Sequence, residues 1–262
     1  MDVAVSGNSL AGTSTPYNRL QELKAFDESK AGVKGLVDSG ITKLPKIFVR
    51  PPEDLAAADP VSGNPAGAQF TIPIIDLDGL TGERSGVVAG VRRAAETVGF
   101  FQVVNHGIPV KVLEETMAAV HEFHELPQEL KAEYYSREQM KKVKYGSNFD
   151  LYQSKYANWR DTLFCVMGPD PLDPQELPPI SLAISLAYSI KAYPCLILQI
   201  LNMLISNDKF KSVEHRVLAN RIGPRVSVAC FFTIHFYPST RIYGPIKELL
   251  SEENPRFTGK HH

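Results

Sequence analysis

The sequence predicts an α+β chain, helix-rich in its first part and strand-rich toward its C-terminus. Two observations predict it. Apolar residues recur at helical spacing in Val87, Val88, Val91, Ala94, Ala95 and Val98, and again in Val112, Leu113, Thr116, Val120 and Phe123. Short β-branched and aromatic runs occupy residues 71–77, 100–104 and 161–167, and two more, 211–218 and 225–234, flank a turn at 219–224. With 262 residues, 44% hydrophobic and 22% charged, the chain has enough apolar material for one large domain or two small ones.

Taken in order, residues 1–15 read as a flexible arm. Thr15-Pro16 reads as the cap and first position of a helix whose apolar face is Leu20, Leu23 and Phe26. Residues 44–52 are extended and closed by prolines, and residues 53–68, rich in Ala, Pro, Gly and Asp, read as a loop. The strand at 71–77 precedes the helix 87–98, which Gly99 stops. After the strand 100–104, Asn105-His106-Gly107 is a turn, and Pro109 opens the next helix. Pro127 breaks that helix and starts a short one running toward Tyr135. Residues 136–160 carry no clear period and read as irregular. Residues 168–179 are a proline-rich loop.

Charge and cysteines narrow the function. Lys and Arg number 28 against 29 Asp and Glu, a net charge of -1, which disfavours nucleic acid or an anionic membrane as partner. Cys165, Cys195 and Cys230 are too few and too scattered for a disulfide framework or a zinc cluster, so a reducing, cytoplasmic setting is expected. Asp2 and the polar residues after it give no secretory pattern. The apolar stretch 182–205 is interrupted by Lys191, Pro194, Gln199 and Asn202, which fits a membrane span poorly.

The chemistry-bearing pattern lies near the C-terminus. Arg225 and Ser227 stand two apart, so on a strand they share a face, and a guanidinium beside a hydroxyl suits a carboxylate ligand. The bland alternative is a solvated strand face. His215, upstream in Ser212-Val213-Glu214-His215-Arg216-Val217, is a single imidazole that either ligates a metal or simply decorates a strand. His121 and His124 are three apart, which is not the four-residue spacing of a helical zinc pair, so surface or capping roles are expected. Tyr145, Asn148, Phe149 and Tyr152 either line a pocket or pack an irregular segment. Cys230 is expected to be buried.

Several long motifs occur in a recognisable order. Thr71-Ile72-Pro73-Ile74-Ile75-Asp76-Leu77, then Gly99-Phe100-Phe101-Gln102-Val103-Val104-Asn105-His106-Gly107, then Asn158-Trp159-Arg160-Asp161-Thr162-Leu163, then the segment around His215 all resemble plant 2-oxoglutarate/Fe(II)-dependent dioxygenases. The nearest branch is that of the 1-aminocyclopropane-1-carboxylate oxidase homologues. The resemblance implies a helical N-terminal region packed on a double-stranded β-helix, or jelly roll, and a site holding Fe(II) and 2-oxoglutarate, with ascorbate as helper. It implies hydroxylation or desaturation of a small plant metabolite by a monomer. By motif, His215 matches the distal iron-ligating histidine, and Arg225 and Ser227 match the pair that holds 2-oxoglutarate.

One element of the pattern is missing. No histidine in the chain is followed two residues later by Asp or Glu, so the His-x-Asp pair that supplies the other two iron ligands is absent. It would fall between about 180 and 204, where the sequence is unlike the family. The expectation is therefore a truncated jelly roll, as a skipped exon or an imperfect gene model would leave. It divides into a flexible arm (1–16), an N-terminal dioxygenase-type domain (17–165), an atypical linker replacing the metal-binding strands (166–204), a remnant of the C-terminal jelly-roll domain (205–245) and a tail (246–262). Two functions follow from it. One is an oxygenase with an impaired site. The other is a non-catalytic family member that acts at most as a binding protein.

Overall fold

The computed structural model describes residues 16–57, 71–78, 82, 84–168, 170–178, 205–212, 215, 217, 220, 222–231 and 244–255. The expected arm, most of the loop at 53–68, the apolar stretch before residue 205, the far end of the second C-terminal strand and the last residues of the tail lie outside them.

Six helices and four short strands are formed by the described residues: α1 (Arg19–Glu28), α2 (Gly32–Asp38), α3 (Pro52–Ala57), β1 (Ile74–Asp76), α4 (Arg84–Thr97), β2 (Gln102–Val104), α5 (Val110–Glu125), α6 (Gln128–Ala132), β3 (Val143–Ser147) and β4 (Asp161–Cys165). Helix α1 starts three residues later than Pro16, because Asn18 is the cap: its side-chain Oδ1 accepts the Gln21 N–H at 3.1 Å. Leu23 and Phe26 are buried as expected, but Leu20 is 54% exposed, so the apolar face is narrower than its spacing suggests.

β1, α4 and β2 make a βαβ unit. The two strands run parallel, Ile75 opposite Val103, and the helix supplies the crossover that parallel strands require. Gly99 ends α4 as expected. Its φ is +87°, and its N–H and that of Val98 both reach the Ala94 carbonyl at 2.9 Å, satisfying the last turn. At the far end, Asp76 Oδ1 accepts from the Asp78 N–H and from Asn105 Nδ2, which pins the end of β1 to the turn after β2. His106 is the turn residue its context predicts: Nδ1 accepts the Ile108 N–H at 3.1 Å, between Asn105 (φ +52°) and Gly107 (φ +76°).

β3 and β4 form an antiparallel pair in the register Tyr145 opposite Leu163. β4 was expected, whereas β3 lies in a stretch read as irregular. The reason is burial on both faces. Val143, Lys144, Tyr145 and Ser147 are all buried, so no alternation of apolar and polar residues marks the strand.

Two packed clusters hold this part together. One joins Leu23, Phe26, Val33, Ile47, Phe48, Leu151 and Ala157, with Phe48 meeting Phe26 and Trp159 edge to face at 5.3 and 5.0 Å. The other centres on Phe123, fully buried against Ala119 and Tyr145.

The C-terminal expectation is corrected. Among the described residues of 211–218 and 225–234, none is in a strand, and the sheets formed by the described residues are two-stranded. A strand needs a neighbouring backbone to pair with, and no described strand runs beside these residues. The segment is nevertheless anchored. The Lys211 N–H donates to Ala95 O at 3.0 Å, and the Ile246 N–H donates to Ile205 O at 2.9 Å. Among the described residues, no helix is long and apolar enough to cross a membrane.

Candidate functional site

Arg225 and Ser227 come together. Arg225 Nη1 donates to Ser227 Oγ at 3.4 Å, and both side chains are exposed. Among the described residues this segment is in no strand, so the expected juxtaposition survives without the expected strand. His215 is also exposed, with its ring 6.1 Å from that of Phe100 at the entrance to β2. Lys211, bonded to α4, brings the His215 segment alongside the βαβ unit. The arrangement offers an imidazole, a guanidinium and a hydroxyl to solvent. Among the described residues, no group of three or more His, Cys, Asp or Glu is placed to hold a metal ion.

The other histidines of interest are structural. His124 is half-buried, its ring edge-on to Tyr145 at 6.0 Å, and burial lowers its pKa, so it is packed rather than on the surface. Its carbonyl accepts from buried Lys131 Nζ at 2.8 Å, which caps the C-terminus of α5 with a positive charge. Burial lowers the pKa of Lys131 in turn. His121 is exposed.

The aromatic segment divides between the two readings open to it. Tyr145 and Asn148 are buried, Phe149 is exposed, and all three line a cleft of about 40 Å³ with Arg137, Lys144 and Thr162. The cleft is open to solvent beside the exposed Phe149 ring. Tyr152 lies elsewhere, donating to Asp27 Oδ2 at 2.9 Å. Asn148 braces the segment, with Nδ2 donating to Asn158 O at 2.9 Å and Oδ1 accepting the Asn158 N–H at 2.6 Å.

Sequence reasoning did not single out two carboxylates that organise this half. Asp161, at the start of β4, accepts the Val33 and Lys34 N–H groups at 2.8 Å each, the Tyr145 hydroxyl at 3.0 Å and the Ser147 hydroxyl. It thereby caps α2 from 127 residues away. Asp27 collects Tyr135, Tyr152 and Arg137. The Asp27 bonds to Tyr135, Arg137 and Tyr152 and the Asp161 bonds to Val33 and Lys34 span more than a hundred residues, which no local spacing announces.

Comparison with known proteins shows what the chain is similar to. Residues 72–181 match the family described as the non-haem dioxygenase in morphine synthesis N-terminal domain. The chain is 39% identical to 1-aminocyclopropane-1-carboxylate oxidase homolog 1 of Arabidopsis thaliana, over 89% of this chain and 87% of the relative. It is 38% identical to a 1-aminocyclopropane-1-carboxylate oxidase homolog of Solanum lycopersicum, over 91% and 89%. It is 36% identical to deacetoxyvindoline 4-hydroxylase of Catharanthus roseus, over 94% and 84%. The first of these alignments runs over 324 residues although this chain has 262, so dozens of the relative's positions have no counterpart here. Among solved structures, JOX2 in complex with 2OG, Fe and JA superimposes with a TM-score of 0.61 at 18% identity, over 86% of this chain and 88% of that one, a likeness of fold.

Proposed function

From the premise that this chain belongs to the plant 2-oxoglutarate- and Fe(II)-dependent dioxygenase family, in the branch of the 1-aminocyclopropane-1-carboxylate oxidase homologues, we propose an oxidoreductase that hydroxylates or desaturates a small plant metabolite, in a form whose metal site this chain carries incompletely. The observation that carries it is the Arg225–Ser227 pair, in the family's spacing and joined by a hydrogen bond. A guanidinium gives two parallel N–H donors to a carboxylate and a hydroxyl gives a third, which suits the far carboxylate of 2-oxoglutarate. His215 takes the part of the distal iron ligand.

The residues present do not fit the complete iron centre. Such oxygenases hold iron by two histidines and a carboxylate on one face, and only His215 is accounted for. No reaction step is therefore assigned to this chain through the metal. The same observation, together with relatives that align over more residues than the chain possesses, favours a second reading: a non-catalytic product of the family, truncated internally, acting at most as a binder. The domain boundaries at residues 16, 165, 204 and 245, and a monomeric, cytoplasmic protein, belong to the same proposal.

The test is succinate formation from 2-oxoglutarate and oxygen, with Fe(II) and ascorbate supplied. The comparison is between this chain and a version carrying a relative's His-x-Asp segment between residues 178 and 205. The segment-bearing protein is expected to form succinate and this chain is not. In the segment-bearing protein, Arg225→Ala is expected to weaken 2-oxoglutarate binding roughly 10–150-fold, the worth of a charged hydrogen bond. An unchanged 2-oxoglutarate dependence would remove Arg225 from the site.

A further inference from the structure

We infer that this chain folds without iron and does not build an iron centre by itself. The inference rests on the family reading above and goes beyond it, to whether the fold needs or takes the metal at all.

Where the absent ligand pair would fall, residues 179–204 contain no His, no Asp and no Glu, so neither member of a His-x-Asp pair is there. Among the described residues, no three donors converge. His215 stands exposed beside Phe100. One exposed imidazole must compete with water for each remaining position of the ion, and affinity for Fe(II) comes from several ligands fixed together.

In small metallo-domains the free energy of metal binding is the free energy of folding, because the core forms around the ligands. Here the two are separated along the chain. Every member of both packed clusters lies between Leu23 and Leu163. The hydrogen-bond donors to Asp27 are Tyr135, Arg137 and Tyr152, and those to Asp161 are Val33, Lys34, Tyr145 and Ser147. None of these residues is in the segment that carries His215. A ligand stabilises a fold only if it binds the native state better than the unfolded one, and His215 alone presents nothing to the ion that the unfolded chain lacks.

The experiment uses the full chain under anaerobic conditions. Fe(II) with 2-oxoglutarate is titrated by calorimetry, and thermal unfolding is followed by circular dichroism with and without EDTA. The expected result is no saturable heat in the micromolar range and a cooperative transition that neither Fe(II) nor EDTA moves. Stoichiometric binding overturns the inference, and His235→Ala then shows whether a histidine outside the described residues completes a different site. A chain that unfolds cooperatively only when iron is present overturns it equally. The segment-bearing protein separates the two readings. If this chain binds iron, the inference falls and the family function stands. If the segment-bearing protein folds but neither binds iron nor consumes 2-oxoglutarate, the assignment of His215, Arg225 and Ser227 falls, and with it the donor argument made here.

Discussion

Asp27 accepts hydrogen bonds from the Tyr135 and Tyr152 hydroxyls and from Arg137, whose Nη2 lies 2.7 Å from Oδ1. Burial alone would raise its pKa, but the Arg137, Tyr135 and Tyr152 hydrogen bonds outweigh it and hold the carboxyl below the usual range. The folded-state pKa is depressed, so the stabilisation is complete above the ordinary carboxylate pKa of about 4 and is lost as pH falls through the lower, folded value. Asp27→Ala is expected to cost about 1.5–3 kcal/mol at pH 7, since it removes the charged acceptor of three side chains while Arg137 keeps its bonds to the Ser147 and Asn148 carbonyls. Urea unfolding of both proteins from pH 7 to pH 2 should show the gap narrowing with acid, and a gap independent of pH would refute the assignment. Cys165 illustrates burial acting alone: its thiol is pushed up to about 11. In a Cys195→Ser/Cys230→Ser background it should react with a disulfide reagent at pH 8 far more slowly in the native chain than in urea, because only about a thousandth is thiolate. Equal rates would mean that the residue is not shielded.

At the scale of elements, the junction of α2 with β4 is the most exacting. Gly32 adopts φ +67°, and a Cβ there would sit 2.5 Å from the Tyr145 hydroxyl and 2.7 Å from each Asp161 oxygen. Only glycine meets both demands, the left-handed backbone and the absent side chain. Gly32→Ala is expected to destabilise by about 2 kcal/mol or more, as does Asp161→Ala, which uncaps the first turn of α2. The two changes damage one junction, so the double variant should lose clearly less than the sum in a denaturation cycle. Strict additivity would show that the sites are independent. Helix spacing, the Gly99 stop, the Asn105-His106-Gly107 turn and three of the four strands were legible locally, because each is set by residues a few positions apart. β3 was not, because its partners bury both of its faces and erase the period of two.

Among the described residues, both packed clusters lie before residue 178, and the Arg225–Ser227 pair and His215 come after 204. Phe123→Ala, at a fully buried position touching Tyr145 and Tyr134, is expected to cost about 3–5 kcal/mol and to lower the transition of α1 through β4 as one unit. Hydrogen exchange that left α1 and α2 protected in this variant would show two separable units instead. The sequence by itself determined the family and the order of the N-terminal elements, because motif and short-range spacing carry that information. It also determined that the His-x-Asp pair is missing. Only the tertiary structure decided that Asp27 and Asp161 are the polar hubs, that Tyr145 is core and Tyr152 is not, and that Arg225 and Ser227 meet without a strand beneath them. Those outcomes depend on which distant segments come into contact, and a contact between residues more than a hundred positions apart leaves no local period to read.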